Sequence, residues 1–174
     1  MDLGVVLLIV QLVSGFILSI PIVYWGIANF ILNERSFAKN TQEDASVTII
    51  LPMRNEEFFV EEKISSVIEE IKDKKMAEII VVDSNSSDKT VEVAREVLNN
   101  SNLISDRWDI LSTKKSGKSH AINYAMRKVA ADIIVVSDAD AIVSKGWFNK
   151  TLWWLSKEDV GAISGVEKIT SLRR

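Results

Sequence analysis

Two aspartates separated by one alanine are the residues of this chain best suited to chemistry. Asp138-Ala139-Asp140 directly follows Ser137 and the apolar run Ile133–Val136. Carboxylates this close repel each other. A hard divalent cation such as Mg²⁺ or Mn²⁺ relieves the repulsion, because it takes oxygen ligands from one or two carboxylates and completes its shell with phosphates and water. An ordinary acidic turn has the same composition, so the pair alone leaves both interpretations open.

Asp83 is a second candidate, because it ends the apolar run Glu78–Val82. A carboxylate at that point could accept hydrogen bonds from a nucleobase or from ribose hydroxyls. The competing interpretation is a turn or helix-capping residue. Ser87 or Asp88 is better placed for capping, ahead of a helix predicted to begin near Lys89.

A basic loop precedes another predicted helix. Lys114, Lys115 and Lys118 surround Ser116-Gly117. Glycine allows close backbone approach, a helix N-terminus favours anions, and lysine adds positive charge, so the loop could bind phosphate; a solvated basic loop is the alternative. His120, the single histidine, is interpreted as a structural or surface residue.

The same loop also invites comparison with a phosphate-binding P-loop. Gly117-Lys118-Ser119 before a helix matches the end of G-x-x-x-x-G-K-[ST]. The first glycine of that motif would fall at position 112, which is Ser112. A P-loop NTPase is therefore the weakest of the functional hypotheses.

The elements that would position these residues alternate between strand and helix. Short apolar, β-branched runs predict strands, and apolar residues at helical spacing predict helices between them. This alternation predicts an α/β fold with a mainly parallel sheet flanked by helices, in which ligands bind at the carboxyl ends of the strands. The predicted strands are Val47–Leu51 (ended by Pro52), Glu78–Val82, Trp108–Leu111, Ile133–Val136 and Val160–Ile163, with helices near residues 60–71, 91–98, 121–129 and 145–156.

The N-terminal region differs from the rest, since no charged residue occurs from Leu3 to Leu32. A helix needs about 20 apolar residues to span a bilayer, so residues 1–33 are predicted to be a transmembrane anchor. Residues 34–46 form a polar linker, and residues 47–174 form the remaining domain. Arg35 and Lys39 follow the span, which by the positive-inside rule places that domain in the cytoplasm.

Overall composition limits the possible functions. The formal net charge of −3 gives no broad basic surface, which argues against nucleic-acid binding. The chain has no cysteine, so disulfides and thiolate metal sites are excluded.

Taken together, the motifs resemble those of the inverting family 2 glycosyltransferases with the GT-A (Rossmann-like) fold. Asp138-Ala139-Asp140 resembles the family's D-x-D block, and the other segments occur in the expected order. The segments that carry the resemblance are residues 47–57 (P-x-x-N-E), 79–90 (V-V-D-x-x-S-x-D-x-T), 116–123 (G-K-x-x-A-L-N), 134–141 (D-x-D) and 161–165.

The resemblance implies a nucleoside-diphosphate-sugar donor, with uracil or guanine as the base, and Mg²⁺ or Mn²⁺ as the metal. Asp138 would contact ribose or metal, and Asp140 would coordinate the metal that bridges the diphosphate. The residues implied to bind the nucleotide sugar are Pro52, Asn55, Glu56, Asp83, Lys118 and Asp138. An N-terminal span resembles the members that act on lipid or glycan acceptors.

One part of the family pattern has no counterpart here. The family's general base follows the D-x-D block, whereas Glu158-Asp159 precedes the Gly161 segment, so no catalytic base is assigned and the domain is expected to be incomplete at its C-terminus. The leading hypothesis is thus the donor-binding half of a transferase, which a separate C-terminal half or partner subunit would complete. A non-catalytic membrane-tethered subunit of a glycosyltransferase is the alternative.

Overall fold

The computed structural model describes residues 3–33 and 45–165, and the chain divides into two compact units, Met1–Ala38 and Lys39–Arg174. The first unit contains helix α1, Leu3–Asn33, with Pro21 inside it. Its stretch Leu3–Ile27 is long and apolar enough to cross a membrane. The hydroxyls of Ser14 and Ser19 donate to backbone carbonyls three or four residues earlier, so neither needs water as a partner.

The second unit is a four-stranded, entirely parallel sheet in the order β3-β2-β1-β4. This confirms the predicted parallel α/β architecture, including the short third strand. A 3-10 turn, Ser105–Arg107, precedes β3. The strands are β1 Val47–Met53, β2 Ala77–Asp83, β3 Trp108–Ser112 and β4 Ile133–Val136, and the helices are α2 Val60–Ile71, α3 Thr90–Asn99, α4 Lys118–Met126 and α5 Trp147–Leu155.

Helices cover both faces of the sheet, and alternate residues of the central strand β1 serve the two layers. Ile49 and Leu51 pack in a core built with α2, α3 and Phe148 of α5. Ile50 faces the other way, into a smaller core with Ala121 and Ala125 of α4. Burial on both faces explains why the strands are continuously apolar.

Strand β1 continues two residues beyond its predicted end, through Pro52 to Met53. The carbonyl of Ile50 accepts from Ser137 and that of Met53 accepts from Ser84, so Pro52 faces the β4 side of the strand. The last β1–β4 pair is Ile50 with Val136. Proline has no N–H with which to continue this ladder, so the pairing of β1 with β4 ends here.

The predicted strand at residues 160–163 is wrong. This segment forms no strand, although its apolar composition matches the other strands. A strand requires a neighbouring backbone that pairs with it, and none of the strands in the described part of the chain pairs with this segment. The helix predicted near Lys145–Ser156 is present as α5.

Candidate functional site

The loops at the carboxyl ends of β1, β2 and β4 meet around an open cleft of about 250 Å³. Five predicted site residues, Pro52, Glu56, Lys118, Asp138 and Asp140, line this cleft. Asn55 and Asp83 are not among its lining residues. The full lining comprises Pro52, Met53, Arg54, Glu56, Ser84, Lys118, Asp138, Ala139 and Asp140.

Asn55 joins the loop after β1 to the loop after β2. Its backbone is in the left-handed region at φ 55°, which asparagine tolerates better than most residues. Its side-chain oxygen accepts a 2.8 Å hydrogen bond from the backbone of Ser87, and its own N–H donates to the hydroxyl of Ser86 at 3.0 Å. Asn55 therefore holds together two loops that border the cleft, without lining the cleft itself.

The next residues strengthen the same junction. The N–H of Glu56 donates to the hydroxyl of Thr90 at 2.8 Å, and the N–H of Glu57 donates to the carboxylate of Asp88 at 3.2 Å. Asp88 also accepts from the backbone N–H of Thr90, the first residue of α3, although the N-cap position itself is Lys89. Although burial acts to raise it, the pKa of Asp88 is lowered by the hydrogen bonds from Thr90 and Glu57.

Asp83 lies buried at the end of β2, where one carboxylate oxygen accepts a 3.0 Å hydrogen bond from the N–H of Ser86. The structure thus gives it the turn contact that was the competing interpretation. Ser84, which the sequence reasoning did not single out, is also buried and lines the cleft. Its hydroxyl accepts from the N–H of Gly117 at 2.8 Å and so attaches the basic loop to the sheet. Ser84 is one of several serines in the same turn, so the sequence does not mark it as a site residue.

The cleft concentrates negative charge. Burial raises the pKa of Glu56 above its ordinary value, and the carboxylates of Asp140, Asp88 and Asp138 raise it further. Lys118 offsets part of this charge, with its ammonium 2.5 Å from one oxygen of Asp138 and 2.6 Å from the other. The lining includes three carboxylates, those of Glu56, Asp138 and Asp140, and no histidine or cysteine, a donor set suited to Mg²⁺ or Mn²⁺. The residues that the structure describes contain no preformed group of three or more metal-ligating side chains.

Lys63 is the main contributor to this region that the sequence reasoning missed. It is one of several charged residues in the sequence of α2. In the structure it is fully buried, and its ammonium donates to the hydroxyl of Ser137 at 2.6 Å and to the carbonyl of Ala141. A signal did exist, because residue 63 falls on the apolar face defined by Val60, Ile64 and Val67.

Comparison with known proteins identifies the family of this chain. The family model of glycosyl transferase family 2 matches residues 48–171. The chain is 29% identical over 151 residues to the probable glycosyltransferase YdaM of Bacillus subtilis, covering 80% of this chain and 34% of that protein. It is 27% identical over 143 residues to the poly-beta-1,6-N-acetyl-D-glucosamine synthase of Staphylococcus aureus, covering 75% of this chain and 33% of that protein. The chain therefore spans about a third of the length of these relatives.

A solved structure extends the similarity to three dimensions. The mannosyltransferase PcManGT of Pyrobaculum calidifontis, in complex with GDP-Man and Mn²⁺, superposes with a TM-score of 0.66 at 27% identity. The superposition covers 91% of this chain and 46% of that one. The fold expected from the motifs, a GT-A sheet preceded by an apolar helix, is confirmed.

Proposed function

Since the chain belongs to glycosyl transferase family 2, we propose that its cleft binds a nucleoside-diphosphate sugar through a divalent metal. The observation that carries the proposal is the convergence of Glu56, Lys118, Asp138 and Asp140 on one cleft at the carboxyl edge of the sheet. These residues come from three separate segments of the sequence. A chance acidic turn would not bring them together with a lysine beside it.

Asp138 and Asp140 would hold the metal, with Glu56 as a nearby third carboxylate. Mg²⁺ and Mn²⁺ both suit oxygen ligands, and the Mn²⁺ in the mannosyltransferase complex supports this class of ion. Bound there, the ion would neutralise charge on the diphosphate leaving group. The chain's own contribution is to orient the two carboxylates and to keep a compensating ammonium, that of Lys118, beside them.

The nucleotide would lie along the ends of β1 and β2. Pro52 lines the cleft there, and Asp83 is buried at the end of the neighbouring strand with one oxygen engaged by Ser86. Lys118 begins α4, so its charge and the helix N-terminus favour the same anionic group. UDP- and GDP-sugars are the donors proposed.

The proposed role of the whole protein is inverting transfer of the sugar to a lipid or glycan acceptor at a membrane. Helix α1 would be a single-pass anchor, with the sheet domain in the cytoplasm. Arg35 and Lys39, on which this orientation depends, lie outside the described residues. The cleft residues are proposed to bind the donor. None of them is proposed to bind the acceptor or to act as the general base.

Calorimetry on the full chain tests donor binding directly. UDP and GDP are titrated with and without Mn²⁺, and binding is expected with the metal and to be lost on its removal by chelation. Asp140→Asn should weaken metal-dependent binding at least about tenfold, since it replaces an anionic ligand by a neutral amide.

Asp132→Asn is the matched control. Asp132 lies at the opposite edge of the sheet, where its carboxylate accepts from the N–H and hydroxyl of Ser46. Replacing it by asparagine makes the same chemical change away from the cleft. This variant should bind nucleotide like the unaltered chain. If neither nucleotide binds in the presence of Mn²⁺, or if Asp140→Asn changes nothing, the proposed function is wrong.

A further inference from the structure

Lys63 is a charged side chain sealed inside the helical layer of the sheet domain. It lies near the start of α2, and none of its surface is exposed to solvent. Removing an ammonium group from water is unfavourable unless acceptors surround it. The acceptors around the ammonium of Lys63 therefore show which segment this side chain stabilises.

Two of its acceptors bracket the acidic pair. The ammonium of Lys63 donates to the hydroxyl of Ser137, one residue before Asp138, and to the carbonyl of Ala141, one residue after Asp140. The N–H of Ala141 in turn donates to the carbonyl of Asp138 at 3.3 Å. A single side chain from α2 thus joins both ends of a five-residue loop.

Three residues of this loop are held on the side that faces α2. Ser137 and Ala141 are held by Lys63, and Ala139 is buried at 4% exposure in the core that α2 shares. Asp138 and Asp140, the residues between these anchors, line the cleft, and Ala139 contributes to the lining as well. The loop is therefore fixed on its inner side at each point that flanks a cleft-facing carboxylate.

We propose that Lys63 is a positioning residue, which acts through Ser137 and Ala141 to hold Asp138 and Asp140 in their cleft-facing arrangement. In its functional part this inference rests on the proposed metal and nucleotide binding. Lys63 itself does not line the cleft, so it would affect ligands through the loop.

Lys63→Met is the variant that tests this role, because methionine keeps an unbranched side chain of similar length and removes the ammonium. Hydrogen exchange measured by mass spectrometry on the full chain reports the loop directly. We expect the amides of residues 137–141 to exchange about tenfold faster than in the unaltered chain. Mn²⁺-dependent binding of UDP or GDP should weaken by a similar factor of about ten, as is usual when the partner of a ligand-bearing group is removed.

Val67→Ala is the control for general loss of packing. Val67 is fully buried on the same helix, so its truncation lowers stability but leaves the Lys63 hydrogen bonds to Ser137 and Ala141 in place. We expect exchange at residues 137–141 and nucleotide affinity to stay near those of the unaltered chain in this variant. If Lys63→Met and Val67→Ala change loop exchange equally, the positioning role is overturned.

Ser137→Ala provides a second variant in case Lys63→Met fails to fold. It removes one acceptor of Lys63 with little change in volume, and should raise loop exchange in the same direction but less. Unchanged loop exchange in a folded Ser137→Ala variant would contradict the inference. Failure of the unaltered chain to bind nucleotide would overturn the proposed function, whereas faster loop exchange in Lys63→Met would still support the positioning of the loop.

Discussion

Glu56 illustrates, at the scale of a single residue, the cost of collecting carboxylates in one cleft. Burial raises its pKa above the ordinary value, and Asp140, Asp88 and Asp138 add repulsion. The charged form of Glu56 is therefore less favourable in the folded chain than in the unfolded one. Functional clefts commonly carry unfavourable electrostatics of this kind, which a bound cation relieves.

This imbalance predicts how stability depends on pH. Because the pKa of Glu56 is raised on folding, its stabilising contribution is complete below its ordinary value of 4.5 and is lost as pH rises through the folded-state pKa. Glu56→Gln should leave the free energy of unfolding unchanged at pH 4 and raise it by less than about 1 kcal/mol at pH 7. Urea denaturation at the two pH values measures this. An equal increase in the free energy of unfolding at both pH values would show that the negative charge of Glu56 is not the cause.

Individual site residues could be located from sequence better than their contacts could. Asp138 and Asp140 follow an apolar strand, and a parallel sheet brings such strand ends to one edge, so their place in the cleft was predictable. The hydrogen bond from Ser86 to Asp83 and the left-handed backbone of Asn55 were not. Both depend on how two loops distant in sequence meet, and residue type and spacing do not specify that.

Helix α2 holds the segment between β4 and α5 through two of its side chains. Lys63 contacts the loop after β4, and further along the helix the carboxylate of Glu70 accepts from the N–H groups of Gly146 and Phe148 at the start of α5. These N–H groups have no partner within their own helix, so Glu70 caps α5 from another element. The two contacts attach the chain between β4 and α5 to a single helix.

The C-terminal end of α2 depends on Arg107. Its guanidinium donates to the carbonyls of Ile71 at 2.8 Å, Lys74 at 2.6 Å and Ala77 at 2.9 Å. Arg107→Met should lower the free energy of unfolding by about 2–3 kcal/mol, since several carbonyls lose a charged donor at once. Chemical denaturation measures the change.

Arg127→Met is the control for Arg107, because Arg127 is exposed just after α4. It should change the free energy of unfolding by less than about 0.5 kcal/mol. A similarly small effect of Arg107→Met would mean that water replaces the guanidinium at these carbonyls.

Elements were predictable where local pattern determines them. The apolar stripe of α2 and the continuous runs of β1 and β2 are properties of short segments. The segment 160–163 has the same composition but no strand, because a strand is made by its neighbour as well as by its own residues. The buried Lys63 and the half-buried Glu70 and Arg107 were missed for a related reason, since a distant segment supplies the hydrogen-bond partners of each.

At the scale of the whole molecule, the apolar stretch Leu3–Ile27 and the sheet domain combine into a proposed membrane protein with a cytoplasmic donor site. The absence of cysteine allows the orientation to be tested, because one introduced thiol is then unique in the chain. Asn99, exposed at the end of α3 and outside the cleft lining, is a suitable position for Asn99→Cys. In membrane vesicles, a maleimide that cannot cross the bilayer reaches this thiol only from the side on which the sheet domain lies.

We expect the Asn99→Cys chain to be labelled in inside-out vesicles and protected in right-side-out vesicles until detergent is added. The physical reason is that Arg35 and Lys39 follow the span whereas Asp2 precedes it, so the positive-inside rule predicts a cytoplasmic domain. Labelling only in right-side-out vesicles would reverse the orientation. It would also separate the cleft from cytoplasmic nucleotide sugars.

A double change of Val13→Lys and Ile17→Lys is the control for anchoring. Each lysine near the middle of the span costs about 2.5–3.5 kcal/mol, so this variant should be recovered in the soluble fraction, where its thiol should react without detergent.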